Sequence, residues 1–166
     1  MLALALTLLA QAHAAMPAPS RPDPQVCPAA AAIPRELAGW RTMTPVAARD
    51  TPAVIRVGQA ARASLLPTAA VTYPLAPARP AAANTSGGVF AFEVARAGTY
   101  RVALGAGAWI DVVQGGKALA STAHAHGPDC SPVRKTVDFR LTPGRYLAQI
   151  VGSPAPVLEL MVARLR

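Results

Sequence analysis

Phe90-Ala91-Phe92-Glu93-Val94-Ala95-Arg96-Ala97-Gly98-Thr99-Tyr100-Arg101-Val102-Ala103-Leu104 is the stretch on which the fold turns. Phe90, Phe92 and Val94 alternate with Ala91 and Glu93. After Ala97-Gly98 the apolar positions resume at Tyr100, Val102 and Leu104, around Arg101 and Ala103. A period of two puts each apolar set on one face of an extended chain. The stretch therefore predicts two strands joined by a glycine turn and paired with each other.

The same grammar continues towards the C-terminus. Trp109-Ile110-Asp111-Val112-Val113 runs into Gly115-Gly116, the two-residue spacing of a tight hairpin, and residues 117–121 return. Val137, Phe139 and Leu141 alternate with Thr136, Asp138 and Arg140. Pro143-Gly144 then turns the chain into Tyr146, Ala148 and Ile150, and residues 157–165 read as a last strand. There is an internal echo: Phe92 to Tyr100 and Phe139 to Tyr146 each present an apolar strand, a glycine turn and a tyrosine re-entering the next strand. This reads as two hairpins solving one geometric problem. Short strands with turn signals at this spacing, and no long helical period, predict an all-β fold: an antiparallel β-sandwich or jelly roll.

Towards the N-terminus the signals thin out. Residues 54–73 hold short strands, around 59–66 and 70–73, and residues 74–88 form a Pro-, Ala- and Gly-rich connection expected to be mobile at 82–87. Pro34-Arg35-Glu36-Leu37-Ala38-Gly39-Trp40 reads as one helical turn, with proline at its start and glycine near its end. Trp40 would pack that turn on the domain edge. The division is a leader at residues 1–14, an irregular arm at 15–53 and a sandwich domain at 54–166.

Composition agrees with short elements. Seventeen prolines and twelve glycines in 166 residues disfavour long helices. The hydrophobic share of 52% is largely alanine and aromatics are only 5%, so the core leans on Val, Leu, Ile and a few rings. The net charge of +8 comes from scattered arginines, with Lys117 and Lys135 the only lysines. No basic run or basic helix gathers them and no aromatics interleave, which speaks against nucleic acid as a partner.

Residues 1–10 are apolar and lead into Ala12-His13-Ala14, a small-x-small pattern of the kind a signal peptidase accepts. The run is shorter than the roughly 20 apolar residues a permanent span needs, so cleavage after Ala14 would leave no stable membrane span. The expected address is periplasmic or secreted. Cys27 and Cys130, an even count in an exported chain, read as a disulfide.

Polar chemistry concentrates in His124-Ala125-His126-Gly127-Pro128-Asp129-Cys130. His-x-His on an extended segment puts two imidazoles on one side, about 7 Å apart along the backbone, and Asp129 could add an oxygen. His124, His126 and Asp129 are thus candidate ligands for a divalent metal: iron, copper or zinc. Trp109 and Asp111 share one strand face, a candidate sugar platform of aromatic ring and hydrogen-bonding acid. Gly-x-Ser-x-Gly, a phosphate-binding glycine loop and Cys-x-x-Cys are missing from the sequence.

Residues 90–104 followed by Trp109-Ile110-Asp111-Val112-Val113-Gln114-Gly115-Gly116-Lys117-Ala118-Leu119 resemble small exported bacterial sandwich modules, of the prepeptidase C-terminal and carbohydrate-binding-like types. The resemblance covers less than half the chain. It implies a sandwich and an accessory role, with a glycan or an envelope protein as partner, as a monomer or weak oligomer. A cupin-like dioxygenase is the metal-dependent alternative, since the first cupin motif also carries His-x-His and a carboxylate. Here the carboxylate comes too soon, at Asp129, and no later histidine supplies a second motif around Pro143-Gly144. An iron site of the homogentisate 1,2-dioxygenase kind has no equivalent. The expectation is a non-enzymatic module with no cofactor, and the alternative is a metal-binding protein or enzyme at the His124/His126 loop.

Overall fold

A computed structural model describes Cys27 and residues 33–166. The leader at residues 1–14, and the arm as far as residue 32 apart from Cys27, lie outside the described residues. The described chain is an all-β sandwich of two mixed sheets. Its strands are β1 (Met43–Ala47), β2 (Ala53–Val54), β3 (Ala60–Ser64), β4 (Leu66–Pro67), β5 (Ser86–Val94), β6 (Gly98–Leu104), β7 (Trp109–Gln114), β8 (Lys117–Ala118), β9 (Ser121–His126), β10 (Lys135–Leu141), β11 (Gly144–Ser153) and β12 (Val157–Arg164). The first sheet runs β1-β3-β12-β6-β10-β9. The second runs β2-β5-β11-β7-β8, with β4 also on β5.

From Phe90 onwards most strands are where alternation predicted them. The exceptions are the return strand after Gly115-Gly116, which is only Lys117–Ala118, and the segment read as the His124/His126 loop, which is itself a strand, β9. Two of the expected pairings are not formed. β5 and β6 lie in different sheets, and so do β10 and β11. The two glycine turns are corners that carry the chain over the core, not hairpins. Each corner is closed by its tyrosine: the Tyr100 hydroxyl donates to the Arg96 carbonyl at 2.8 Å, and the Tyr146 hydroxyl to the Thr142 carbonyl at 2.8 Å. That is tyrosine-corner chemistry, with the phenol satisfying a backbone acceptor freed by the bend. The corners interlock. Tyr100 sits opposite Phe139 across β6 and β10, and Tyr146 opposite Phe92 across β11 and β5, where the two rings stack at 5.5 Å. The echo in the sequence is therefore one corner used twice. Gly115 and Gly116 do make the expected hairpin, both at positive φ (56° and 74°), with Val113 opposite Ala118.

Four further expectations need correction. The sheets are mixed, because β1 pairs β3 and β2 pairs β5 in parallel. Met43–Ala47, read as part of the arm, is the outer strand of the first sheet. Residues 70–73 form no strand: a 3-10 turn at Thr68–Ala70 follows Pro67, and Tyr73 is held by its hydroxyl on the Ile150 carbonyl at 3.0 Å. Ser86, Gly87 and Gly88 are strand rather than linker. An added Cβ at Gly87 would overlap the Tyr73 hydroxyl and lie 2.6 Å from the Ile150 carbonyl oxygen, and one at Gly88 would lie 2.7 Å from Ala48 Cβ. Close packing, not looseness, calls for glycine there.

The main core lies between the sheets, with Phe90, Phe92, Leu104, Phe139, Tyr146, Ile150, Leu158 and Leu160 all within 2% of full burial. A second cluster lies on the outer face of the first sheet. There the 3-10 segment Arg35–Arg41 lowers Leu37 and Trp40 onto Ala60, Ala103, Met161 and Ala163. The alanines let the helical segment approach the sheet closely, and Trp40 packs as the sequence suggested. Arg101 fastens this layer. Its guanidinium takes both Asp138 oxygens (2.8 and 2.9 Å) from the facing strand and Glu36 (3.0 Å) from the helical segment. Bonding to Asp138 pushes the Arg101 pKa up against the opposing effect of burial.

Candidate functional site

The side of the sandwich between β9 and the first half of β7 is open. β8 is two residues long and pairs only with the far end of β7, so Trp109 and Ile110 have no strand beyond them. Register decides what faces this opening. His126 lies opposite Lys135 and His124 opposite Val137, whose side chain belongs to the inter-sheet core, so both imidazoles sit on the inner side of the edge strand. Lys135 is the first inward residue of β10, and its ammonium donates to the Ala108 carbonyl at 2.7 Å, spanning the mouth between the sheets.

Across the mouth stands Trp109. Its indole N–H donates to Asp111 Oδ1 at 2.8 Å, and the other Asp111 oxygen accepts the Ala78 amide at 3.3 Å. The carboxylate is buried and its oxygens are engaged. Trp109 and Asp111 do share a face, as expected, yet they act as a latch on residues 74–85 more than as an empty platform. Gln149 completes the latch, its carboxamide bonding both the amide and the carbonyl of Leu75 (3.0 and 3.2 Å). The proline-rich connection is thereby held against the outer face of the second sheet. It delivers Arg79 to the ring of Trp109, with the guanidinium carbon 5.9 Å from the centroid, while Lys135 Nζ lies 5.2 Å from it.

The result is a groove of about 950 Å³ bounded by Arg79, Trp109, His124, His126, Arg134 and Lys135. It continues past Trp109, His124 and Lys135 into a second depression of about 530 Å³ that reaches Leu119, Ser121 and Phe139. Electrostatically the first is one-signed, since no Asp or Glu lines it. Among the described residues the only ion pairs join Arg101 to Glu36 and Asp138, on the far face of the first sheet, so none of Arg79, Arg134 and Lys135 on the groove is in an ion pair. Lys135 registers this: burial first, then the nearby Arg79 charge, push its pKa below 10.5. The sign follows. A charged Lys135 is disfavoured in the fold relative to the unfolded chain. Its contribution to stability improves as pH rises through the lowered folded value towards the unfolded one.

The sequence candidates divide. His124, His126 and Trp109 come together in the groove, with Asp111 behind the ring. Asp129 does not join the histidines. It borders a separate depression with Cys27, Cys130 and Arg134. Among the described residues no three of His, Cys, Asp and Glu gather as metal ligands. The cysteines are joined as a disulfide, with Cα atoms 5.5 Å apart. Cys130 holds a left-handed backbone (φ 59°) in the turn closed by the Ser131 amide on the Pro128 carbonyl at 3.1 Å.

Sequence reasoning missed Arg79 and Arg134. Arg79 is one arginine in a proline-alanine run, and only the Asp111 and Gln149 latches place it. Arg134 directly precedes β10, where its amide is held by the Leu104 carbonyl at 2.7 Å. No helix among the described residues is long and apolar enough to cross a membrane. Compared with known proteins, the chain matches no family model and no curated protein.

Proposed function

We propose that the chain is an exported, non-enzymatic binding module that holds an acidic component of the cell envelope in the groove beside β9. One observation carries this reading: Arg79, Arg134 and Lys135 converge on a groove lined by no carboxylate. Like charges held together are costly unless a ligand of opposite sign completes them. Trp109 adds an apolar wall, and the disulfide suits the oxidising compartments outside the cytoplasm. The leader read at residues 1–14 supports the same address.

Titration with polyglutamate, polygalacturonate and neutral dextran tests the reading. Either polyanion should bind, with affinity falling steeply as salt rises, and Arg134→Ala with Lys135→Ala should weaken it at least tenfold. Equal binding of dextran, or an unchanged double variant, overturns the reading.

A second reading rests on His124 and His126 lining the same groove. Two imidazoles on one side of a strand could supply two positions of an iron, copper or zinc site, the remaining positions falling to water or ligand. Metal analysis of natively purified protein separates the two readings. The anion site expects only traces. Stoichiometric metal that is lost on His124→Ala with His126→Ala would replace it.

A further inference from the structure

We infer that β9 is a docking edge, to which an extended acidic segment of a partner polypeptide adds as a further strand of the first sheet. This rests on the reading of the adjoining groove as an anion site and names the kind of ligand that enters it.

A sheet edge is an unsatisfied row of amides and carbonyls, and folded proteins blunt such rows with proline, lysine, shortness or cover. The other edges of this sandwich are blunted. β1 carries Pro45, which has no N–H to offer. β2, β4 and β8 are two residues each. The uncovered half of β7 is short and bracketed: Lys135 caps the Ala108 carbonyl just ahead of it, and the Leu119 amide takes the Val112 carbonyl at 2.8 Å just past it. β9 has no such device. Ser121-Thr122-Ala123-His124-Ala125-His126 contains no proline, lysine or acid, and all six residues are exposed. Four of them, Ala123 to His126, keep regular register with β10, so the outer edge is straight beyond the irregularity at Asp138/Phe139. Among the described residues no backbone group pairs with that outer edge.

Charge selects the occupant. A second copy of this chain would bring the same Arg79, Arg134 and Lys135 against their counterparts, on a chain of net charge +8. An acidic strand is complementary. Alternate side chains of an added strand point to the two faces of the sheet, and those on the inner face reach the groove beside His124 and His126. The partner segment is therefore extended, with Asp or Glu at every second position and small or β-branched residues between. Ala123 and Ala125 leave room for the intervening residues on the other face.

The test uses the full chain and a ten-residue peptide alternating Glu and Thr, with two backbone N-methylated forms, one methylated at each alternate set. Strand addition predicts binding of the parent peptide and at least tenfold weakening by one N-methyl set but not the other. It also predicts slower amide hydrogen exchange within β9. If both N-methylated peptides bind like the parent, or polygalacturonate binds as well as the peptide, strand addition is overturned and the anion groove stands. If no polyanion binds, both fall. Concentration-dependent dimerisation that protects the β9 amides without peptide would identify a second copy as the occupant and also overturn the proposal.

Discussion

Cys27→Ser with Cys130→Ser lowers the unfolding free energy by about 4–5 kcal/mol, the chain-entropy estimate for releasing a loop of roughly 100 residues. The separation is 103 residues, so the tie closes a loop that runs from before β1 to just past β9 and constrains the unfolded chain far more than the folded one. Against a typical domain stability of about 5–15 kcal/mol the loss is large. Cys130 adds a second cost that serine does not relieve, because its φ of 59° is a conformation few side chains adopt. Cys27→Ser with Cys130→Asn should recover part of the loss, since asparagine tolerates that region. Urea denaturation of the oxidised protein and both variants measures it. A loss under about 1 kcal/mol would show that the loop is already constrained without the bond.

Phe92→Ala is expected to cost about 3–5 kcal/mol. Phe92 is fully buried, faces Tyr146 across β5 and β11, and stacks on its ring at 5.5 Å. The strands around it are rich in alanine, with Ala61, Ala63 and Ala148 in the same core, and alanines cannot swing in to fill a vacated ring. The cavity term therefore stays close to its full size. Phe92→Leu keeps most of the volume and should cost less than half as much. Calorimetric melting of the pair gives the comparison. Equal losses would mean that the ring stack, not the filled volume, holds the site.

The strands from Phe90 onwards were legible because period two needs only the residues themselves. Their partners were not. Phe92-Glu93-Val94 and Tyr100-Arg101-Val102 show the same alternation whether they lie side by side or face to face, since either arrangement buries one face of each. The distinguishing mark was Tyr100 after Gly98 and Tyr146 after Gly144, whose hydroxyls close corners that a hairpin does not have. Gly87 and Gly88 misled for a related reason. Composition cannot tell a glycine that frees the backbone from one that admits a neighbour. In the site, Trp109 and the His-x-His pair stood out as rare residue types, whereas Arg79 and Arg134 were two among many arginines. Their meaning lies in what surrounds them, set for Arg79 by Gln149 and Asp111 and for Arg134 by its place at the start of β10.

The two interlocked corners also constrain how the chain can assemble. Neither corner gains a sheet ladder by closing, because β5 meets β11 and β6 meets β10, across the intervening β7 to β9. Apart from the short Gly115-Gly116 hairpin and the β9–β10 pair, early local contacts therefore bring little reward, and the entropy of closing long loops is spent before the other ladders form. The expected rate-limiting ensemble holds both corners at once, with the Phe92–Tyr146 and Tyr100–Phe139 pairs formed. Folding is then slow, on the millisecond-to-second scale of non-local β proteins, and substitutions at those four rings retard refolding more than they speed unfolding.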